Sequence, residues 1–343
     1  SSITSFKGCG QLTAAPRGAT SGHEPSMAAV GALLSAHHGL GYLAIHAGQF
    51  GAQPLLSKRF VTPGTPATSM VLAAEVAKVI GCMGMLKAEG RFEEAFKDWS
   101  PRGFLFAAGV PSMTYLVQNI CLQVAYQKLD GIVFNILNQT KMLFTALFVF
   151  LIVGRQQSKV QCLALVILTG AGMLVSYSEV SERTAETAES RSFESFALGS
   201  CCILLGSALS GLGGAIAEWV LQRKRRDSYL FSSEMAVLGS AVILANHWTN
   251  SSSSDGLFQH WTRYTFIPVL TQGWGGIVVG LISKTAGSVR KGFAVMVGLI
   301  LSCVLKWLVE GESLRWSTYL AVPLVAVSIY LHAKYPPKAA KQA

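Results

Sequence analysis

The chain has 343 residues, 51% of them hydrophobic and only 13% charged, with a mean hydropathy of +0.42. Soluble domains carry about a quarter charged residues, so an ordinary soluble domain is excluded and the recurrent apolar runs mark a polytopic membrane protein. The net charge of +10 does not imply nucleic acid, because the cations lie between apolar segments and form no basic surface domain.

Residues 1–22 are rich in Ser and Thr and free of acids, as transit peptides are, yet lack an Arg-rich amphipathic pattern. A transit peptide stays open beside a disordered tail over 1–36, and Ser1 in place of Met leads us to expect a truncated start. Apolar helices are then predicted at 37–57, 66–88, 102–124, 131–153, 159–178, 196–222, 229–248, 264–283, 288–309 and 314–333. Each is close to the roughly 20 residues needed to cross the hydrocarbon core. The first is interrupted by His46, Gln49 and Gln53, which share one helical face and must turn to protein or water.

The one long polar loop, 179–195, divides the spans five and five, giving repeats over 37–178 and 196–335 and a tail over 336–343. The ends of the two halves, FLIVGRQQSKVQCLALVILTGAGML and WLVEGESLRWSTYLAVPLVAVSIYL, are weakly alike and place Gly154 opposite Gly311. An odd number of spans per half inverts the second repeat. The expected fold is therefore an all-α membrane protein with ten transmembrane helices in two inverted five-helix repeats, a recurrent transporter plan.

Orientation follows from the positive-inside rule. With a cytosolic N-terminus, seventeen Lys and Arg fall on the cytosolic side and seven opposite, so both termini are expected in the cytosol. The tract Arg223-Lys224-Arg225-Arg226 is read as an orientation signal facing anionic headgroups. The sequon Asn250-Ser251-Ser252 then lies in a lumenal loop, where glycosylation occurs. Seven cysteines without a CxxC pair indicate neither a disulfide framework nor a zinc site, and no cofactor is expected.

Several spans carry polar groups that lipid does not tolerate. Asn138, Lys141 and Thr145 are spaced to share a face of the fourth helix. Tyr115, Gln118 and Asn119 do so on the third, and Glu75 and Lys78 can pair on the second. The ninth opens with Arg290 and Lys291. Lys306 has Glu310 four residues on and is expected to pair with it. An unpaired charge at the bilayer centre costs about 3 kcal/mol or more, so these groups should line a protein-walled cavity. Lysines favour an anion, phosphate above all. The amides suit hydroxyls or a base edge, and a tyrosine ring can stack on a base. For Glu75–Lys78 a structural ion pair is the stronger expectation, whereas Lys141 has no acid one turn away on its helix.

At these residues the chain resembles the nucleotide-sugar transporters of the drug/metabolite transporter superfamily. Glu75-Val76-Ala77-Lys78 is similar to the family's EVxK block, and Val110 to Asn119 to its VPxxxYxxQN. Leu129-Asp130 with Asn138-Gln139-Thr140-Lys141 is similar to LD…QxK, Ser210-Gly211 with Glu218 to SGxxxxxxE, and Lys291-Gly292-Phe293 to KGF. The resemblance implies antiport of a nucleotide sugar against nucleoside monophosphate, with Lys141 and Lys291 holding the phosphates and Tyr115, Gln118 and Asn119 lining the cavity. Ile120, Ile216 and Val279 differ from the residues usual in carriers of CMP-sialic acid or UDP-galactose. The stretches 51–59 and 134–141 are most similar to the plant-type branch handling UDP-N-acetylglucosamine and UDP-N-acetylgalactosamine. The expected partners are thus a UDP-sugar, UMP and membrane lipids, with no nucleic acid; a homo-dimer is allowed. The expected location is the Golgi or endoplasmic reticulum membrane.

Two other classes remain in view. A plastid-type phosphate or sugar-phosphate translocator would share the fold. A membrane-embedded glycosyltransferase would need paired acids for a metal, but Asp98, Asp130, Asp227 and Asp255 are isolated.

Overall fold

The computed structural model describes residues 27–184, 193–250, 256–311 and 313–337, and every regular element among them is helical. Ten long helices run in chain order: α1 (Met27–Phe60), α2 (Ala67–Ala88), α3 (Pro101–Lys128), α4 (Gly131–Val153), α5 (Lys159–Thr184), α6 (Phe193–Gln222), α7 (Ser228–Asn250), α8 (Phe266–Thr285), α9 (Ser288–Glu310) and α10 (Trp316–Lys334). Nine of them, α2 to α10, are long and apolar enough to cross a membrane among the described residues. The helix outside that set is α1, the one interrupted by His46, Gln49 and Gln53. It also begins at Met27, ten residues before the expected start. The sequon reaches into 251–255, outside the described residues, as do 1–26, 185–192 and the tail beyond 337.

Local chemistry sets the helix ends. Pro101 follows Ser100, whose hydroxyl accepts the Gly103 N–H at 3.1 Å, so α3 starts with an N-cap and a proline at the first helical position. Pro111 lies inside α3, where it removes a backbone donor. The turn just before it, Leu105–Gly109, widens to π-helical spacing, a standard way of absorbing such a loss. Asp130 caps α4 by accepting the Ile132 and Val133 N–H groups at 2.8 and 3.0 Å. Gly154 and Gly311 end α4 and α9 with φ of +77° and +70°, the left-handed geometry that glycine adopts without strain.

The packing has a simple pattern. Helix α1 lies on α8 and α9, as α6 lies on α3 and α4; α2 packs on α7 and α5 on α10. The α1–α9 contact is very close, because a Cβ on Gly51 would stand 2.8 Å from the Gly298 carbonyl oxygen, and one on Gly298 2.8 Å from that of Ala47. Small residues permit such approach where lipid supplies no hydrophobic drive between helices. A buried apolar cluster joins Met142 and Val149 of α4, Leu168 of α5, Phe293 of α9 and Val325 of α10. Outward-facing Leu105, Leu151, Tyr319 and Leu320 remain exposed, as a lipid-facing surface requires.

The basic tract after α6 is partly absorbed by the protein. Arg223 donates to the Val153 carbonyl at 3.0 Å, Lys224 lies 5.1 Å from the centre of the Trp219 ring, and Arg226 is bonded by Glu234 of α7. It thus forms a set of helix-end ties. At the opposite end of the bundle Glu310 accepts from Lys58 at 2.8 Å, a tie between α1 and α9 that sequence spacing does not reveal.

Candidate functional site

Helix α6 is the element around which the candidate residues gather. Its glycines present bare backbone on several sides. A Cβ on Gly213 would stand 3.0 Å from the Tyr115 ring of α3, and one on Gly211 would stand 2.7 Å from the backbone of Phe144 and Thr145 in α4. A Cβ on Gly214 would lie 3.7 Å from Ser288, at the start of α9. Tyr115, the Lys141 turn of α4 and the first turn of α9 are therefore brought to one stretch of α6.

The amide cluster before Lys141 has a backbone consequence. Helix α4 is not continuous there: regular α-helix runs Gly131–Asn138 and resumes at Lys141–Phe148. Across the break the bonds shorten to three-residue spacing, with Gln139 N–H to Ile136 O, Thr140 N–H to Leu137 O and Met142 N–H to Gln139 O. Asn138 and Lys141 thus flank the tightened turn, where three-residue spacing keeps positions three apart on one side. Gln139 does not join the candidate site: its amide donates to Ser176 Oγ of α5 at 3.1 Å and lies against Gly172. Thr145 donates its hydroxyl to the Lys141 carbonyl at 2.7 Å, which ties down the turn that carries the lysine.

Lys141 and Lys291 approach each other across the α4–α9 contact. The thioether end of Met142 fills the space that a side chain on Gly292 would need, so the residues next to the two lysines touch. Both side chains are half-buried, and neither ammonium is hydrogen-bonded or ion-paired among the described residues. Two lysines brought near each other without an ion pair among the described residues can receive an anion.

The third-helix amides divide. Gln118 is half-buried, and its Oε1 is buried without a hydrogen-bond partner, whereas Asn119 is exposed. The second-helix pair is closed on itself: Lys78 Nζ lies 2.8 and 2.7 Å from the two carboxylate oxygens of Glu75. This pair sits at another junction, with Glu75 against Gly239 of α7 and Lys78 against Gly276 of α8. On α1, Gln53 donates to the Pro268 carbonyl at 2.9 Å and Gln49 packs on Gly275, so that polar stripe joins α1 to α8.

Sequence reasoning gave no role to Glu218. It is fully buried on α6, accepts the Ser288 N–H at 2.6 Å and faces Arg155 at 3.4 Å. An acid inside an apolar helix was the available signal, but its partners are 63 and 70 positions away in the chain.

Comparison with known proteins identifies the family. The family model for nucleotide-sugar transporters matches residues 59–333. A UDP-N-acetylglucosamine transporter of Arabidopsis thaliana is 37% identical over 294 residues, covering 84% of this chain and 89% of its own. A UDP-N-acetylglucosamine/UDP-N-acetylgalactosamine transporter of Caenorhabditis elegans is 28% identical over 78% of this chain and 84% of its own. A UDP-galactose translocator of Mus musculus is 30% identical over 88% and 80%. A solved crystal structure superposes with a TM-score of 0.65 over 87% of this chain and 96% of its own; at 10% identity it shares the fold alone. The family and these relatives are transporters rather than enzymes.

Proposed function

Because the chain belongs to the nucleotide-sugar transporter family, we propose that it carries UDP-N-acetylglucosamine or UDP-N-acetylgalactosamine into the Golgi or endoplasmic reticulum lumen in exchange for UMP. The observation that carries this reading is the convergence of Lys141 and Lys291, without an ion-pair partner among the described residues, beside Tyr115 on the glycine-rich stretch of α6. The lysines neutralise the phosphates. Tyr115, Gln118 and Asn138 face the uridine or the sugar, and the free Oε1 of Gln118 supplies an acceptor for a solute N–H or O–H. Asn119, next to Gln118 on α3, is exposed and is proposed to line the mouth of the same cavity. Glu75 and Lys78 serve the site as a structural pair that holds α2 to α7 and α8.

Exchange follows from the same charges. An empty site leaves two neighbouring lysines without an anion, so returning with UMP is favoured over returning empty. The membrane plan belongs to this proposal: α1 is the tenth span, both termini are cytosolic, and 37–178 and 196–335 are inverted repeats. The packing supports it, since adding five to each helix number turns the α1–α9 and α1–α8 contacts into α6–α4 and α6–α3.

Uptake by proteoliposomes preloaded with UMP, offered a panel of UDP-, GDP- and CMP-sugars, tests the reading. Selective uptake of UDP-N-acetylhexosamines that requires internal UMP is expected. Exchange of phosphate or phosphorylated sugars in place of any nucleotide sugar would move the protein to the translocator class.

A further inference from the structure

Lys291 stands one turn into α9, so its position depends on how that helix begins. Gly287, with φ of +88°, leads into the first turn and has no side chain with which to cap it. The cap comes from another helix. Glu218 Oε2 accepts the Ser288 N–H at 2.6 Å, and Ser288 Oγ donates to the Gly214 carbonyl at 2.8 Å. Gly214 and Glu218 are one turn apart on α6, so a single face of α6 grips both donors of Ser288. The approach is tight: a Cβ on Gly287 would stand 2.8 Å from Glu218 Oε1 and 2.9 Å from Arg155 Nη1.

Glu218 has 0% exposure, and a buried carboxylate is costly unless paired. Two partners compensate it. The N-terminal end of α9 favours a negative charge, and Arg155 lies 3.4 Å from Oε1. Arg155 itself borders a cavity of about 320 Å³, shared with Arg290 and His332, at the start of α9. Oε1 takes no hydrogen bond. Its direct bond therefore goes to the backbone that sets the position of Lys291.

We propose that Glu218 is the positioning residue for Lys291: by capping Ser288 it fixes the first turn of α9 and holds the lysine at the anion site, with Arg155 balancing its second oxygen. The proposal rests on the reading of Lys291 as a phosphate ligand. Glu218 need not touch the solute. Its reach matters more than its charge, because the amide oxygen of glutamine can accept the same N–H, whereas aspartate is one methylene too short.

UMP binding to the purified full chain, measured by calorimetry, tests this with Glu218→Gln, Glu218→Asp, Lys291→Ala and the Glu218→Asp/Lys291→Ala double variant. Glu218→Asp should weaken UMP binding about tenfold, the scale of a displaced hydrogen bond to a charged group, and Glu218→Gln by no more than about threefold. On the Lys291→Ala background Glu218→Asp should have no further effect, because both act through one lysine. A merely structural cap would lower the melting temperature and leave UMP affinity intact. Wild-type affinity in Glu218→Asp, weaker binding in Glu218→Gln than in Glu218→Asp, or a full additional loss on the Lys291→Ala background would overturn the proposal. Wild-type affinity in Lys291→Ala would remove the phosphate role beneath it, a distinct result.

Discussion

Gly211 of α6 lies directly against the backbone of Phe144 in α4: a Cβ at this glycine would stand 2.7 Å from the Phe144 carbonyl carbon. Backbone, unlike a flexible side chain, cannot step aside. The contact lies one turn from Lys141, so the packing of α6 on α4 and the placing of the lysine are one problem.

Gly211→Val should therefore separate the two helices, with a cost of about 1–3 kcal/mol typical of overpacking. Its melting temperature in detergent should fall, and UDP-sugar uptake per reconstituted molecule should fall further. Gly170→Ala in α5 is the control, since among the described residues nothing lies within 4 Å of its added carbon.

The two acids at the α2–α3 and α6–α7 edge should differ in effect. Glu234 is 5% exposed and accepts from both Arg226 and Trp99 Nε1, whereas Glu89 is 37% exposed beside Arg91. Removing one partner of a buried pair strands the other charge, so Glu234→Ala should cost about 3–5 kcal/mol. Glu89→Ala breaks an exposed pair with Arg91, which Asp227 still holds, and one hydrogen bond from the Tyr229 hydroxyl, and should cost about 1–2 kcal/mol. Thermal unfolding of the two variants in one detergent compares them, and equal shifts would contradict the assignment.

Gly154 and Gly311 were aligned by a weak similarity between the two halves, and both close their helices with positive φ. Gly154→Ala and Gly311→Ala should each destabilise by about 1 kcal/mol, the cost of a left-handed residue with a Cβ. Among the described residues nothing lies within 4 Å of an added carbon at Gly311 and only Arg223 Nη2, at 3.9 Å, at Gly154, so the cost is conformational rather than steric.

What could be read in the sequence was what hydropathy controls. The span expected at 131–153 is Gly131–Val153, and that expected at 66–88 is Ala67–Ala88, because the face a helix turns to lipid must be apolar across the hydrocarbon core. Lys141 and Lys291 also stood out, since charge inside a span is costly wherever it falls. The break in α4 was less legible. Its amides were visible, but residues such as Asn138 and Gln139 fit a regular helix as readily as a tightened turn. The long-range ties could not be read at all: Lys58 to Glu310 and Glu218 to Ser288 depend on which helices neighbour one another, and α1 meets α9 only in three dimensions.

The central claim is that Lys141 and Lys291 together hold the phosphates of the solute. The most direct measurement is UDP-N-acetylglucosamine exchange by UMP-loaded proteoliposomes containing wild type, Lys141→Ala or Lys291→Ala at equal reconstituted protein. Losing a charge-assisted phosphate contact costs about 2–3 kcal/mol, so each variant should exchange about 30-fold to 160-fold more slowly than wild type at subsaturating solute. Wild-type exchange by either variant, with the protein intact in the membrane, would contradict the account.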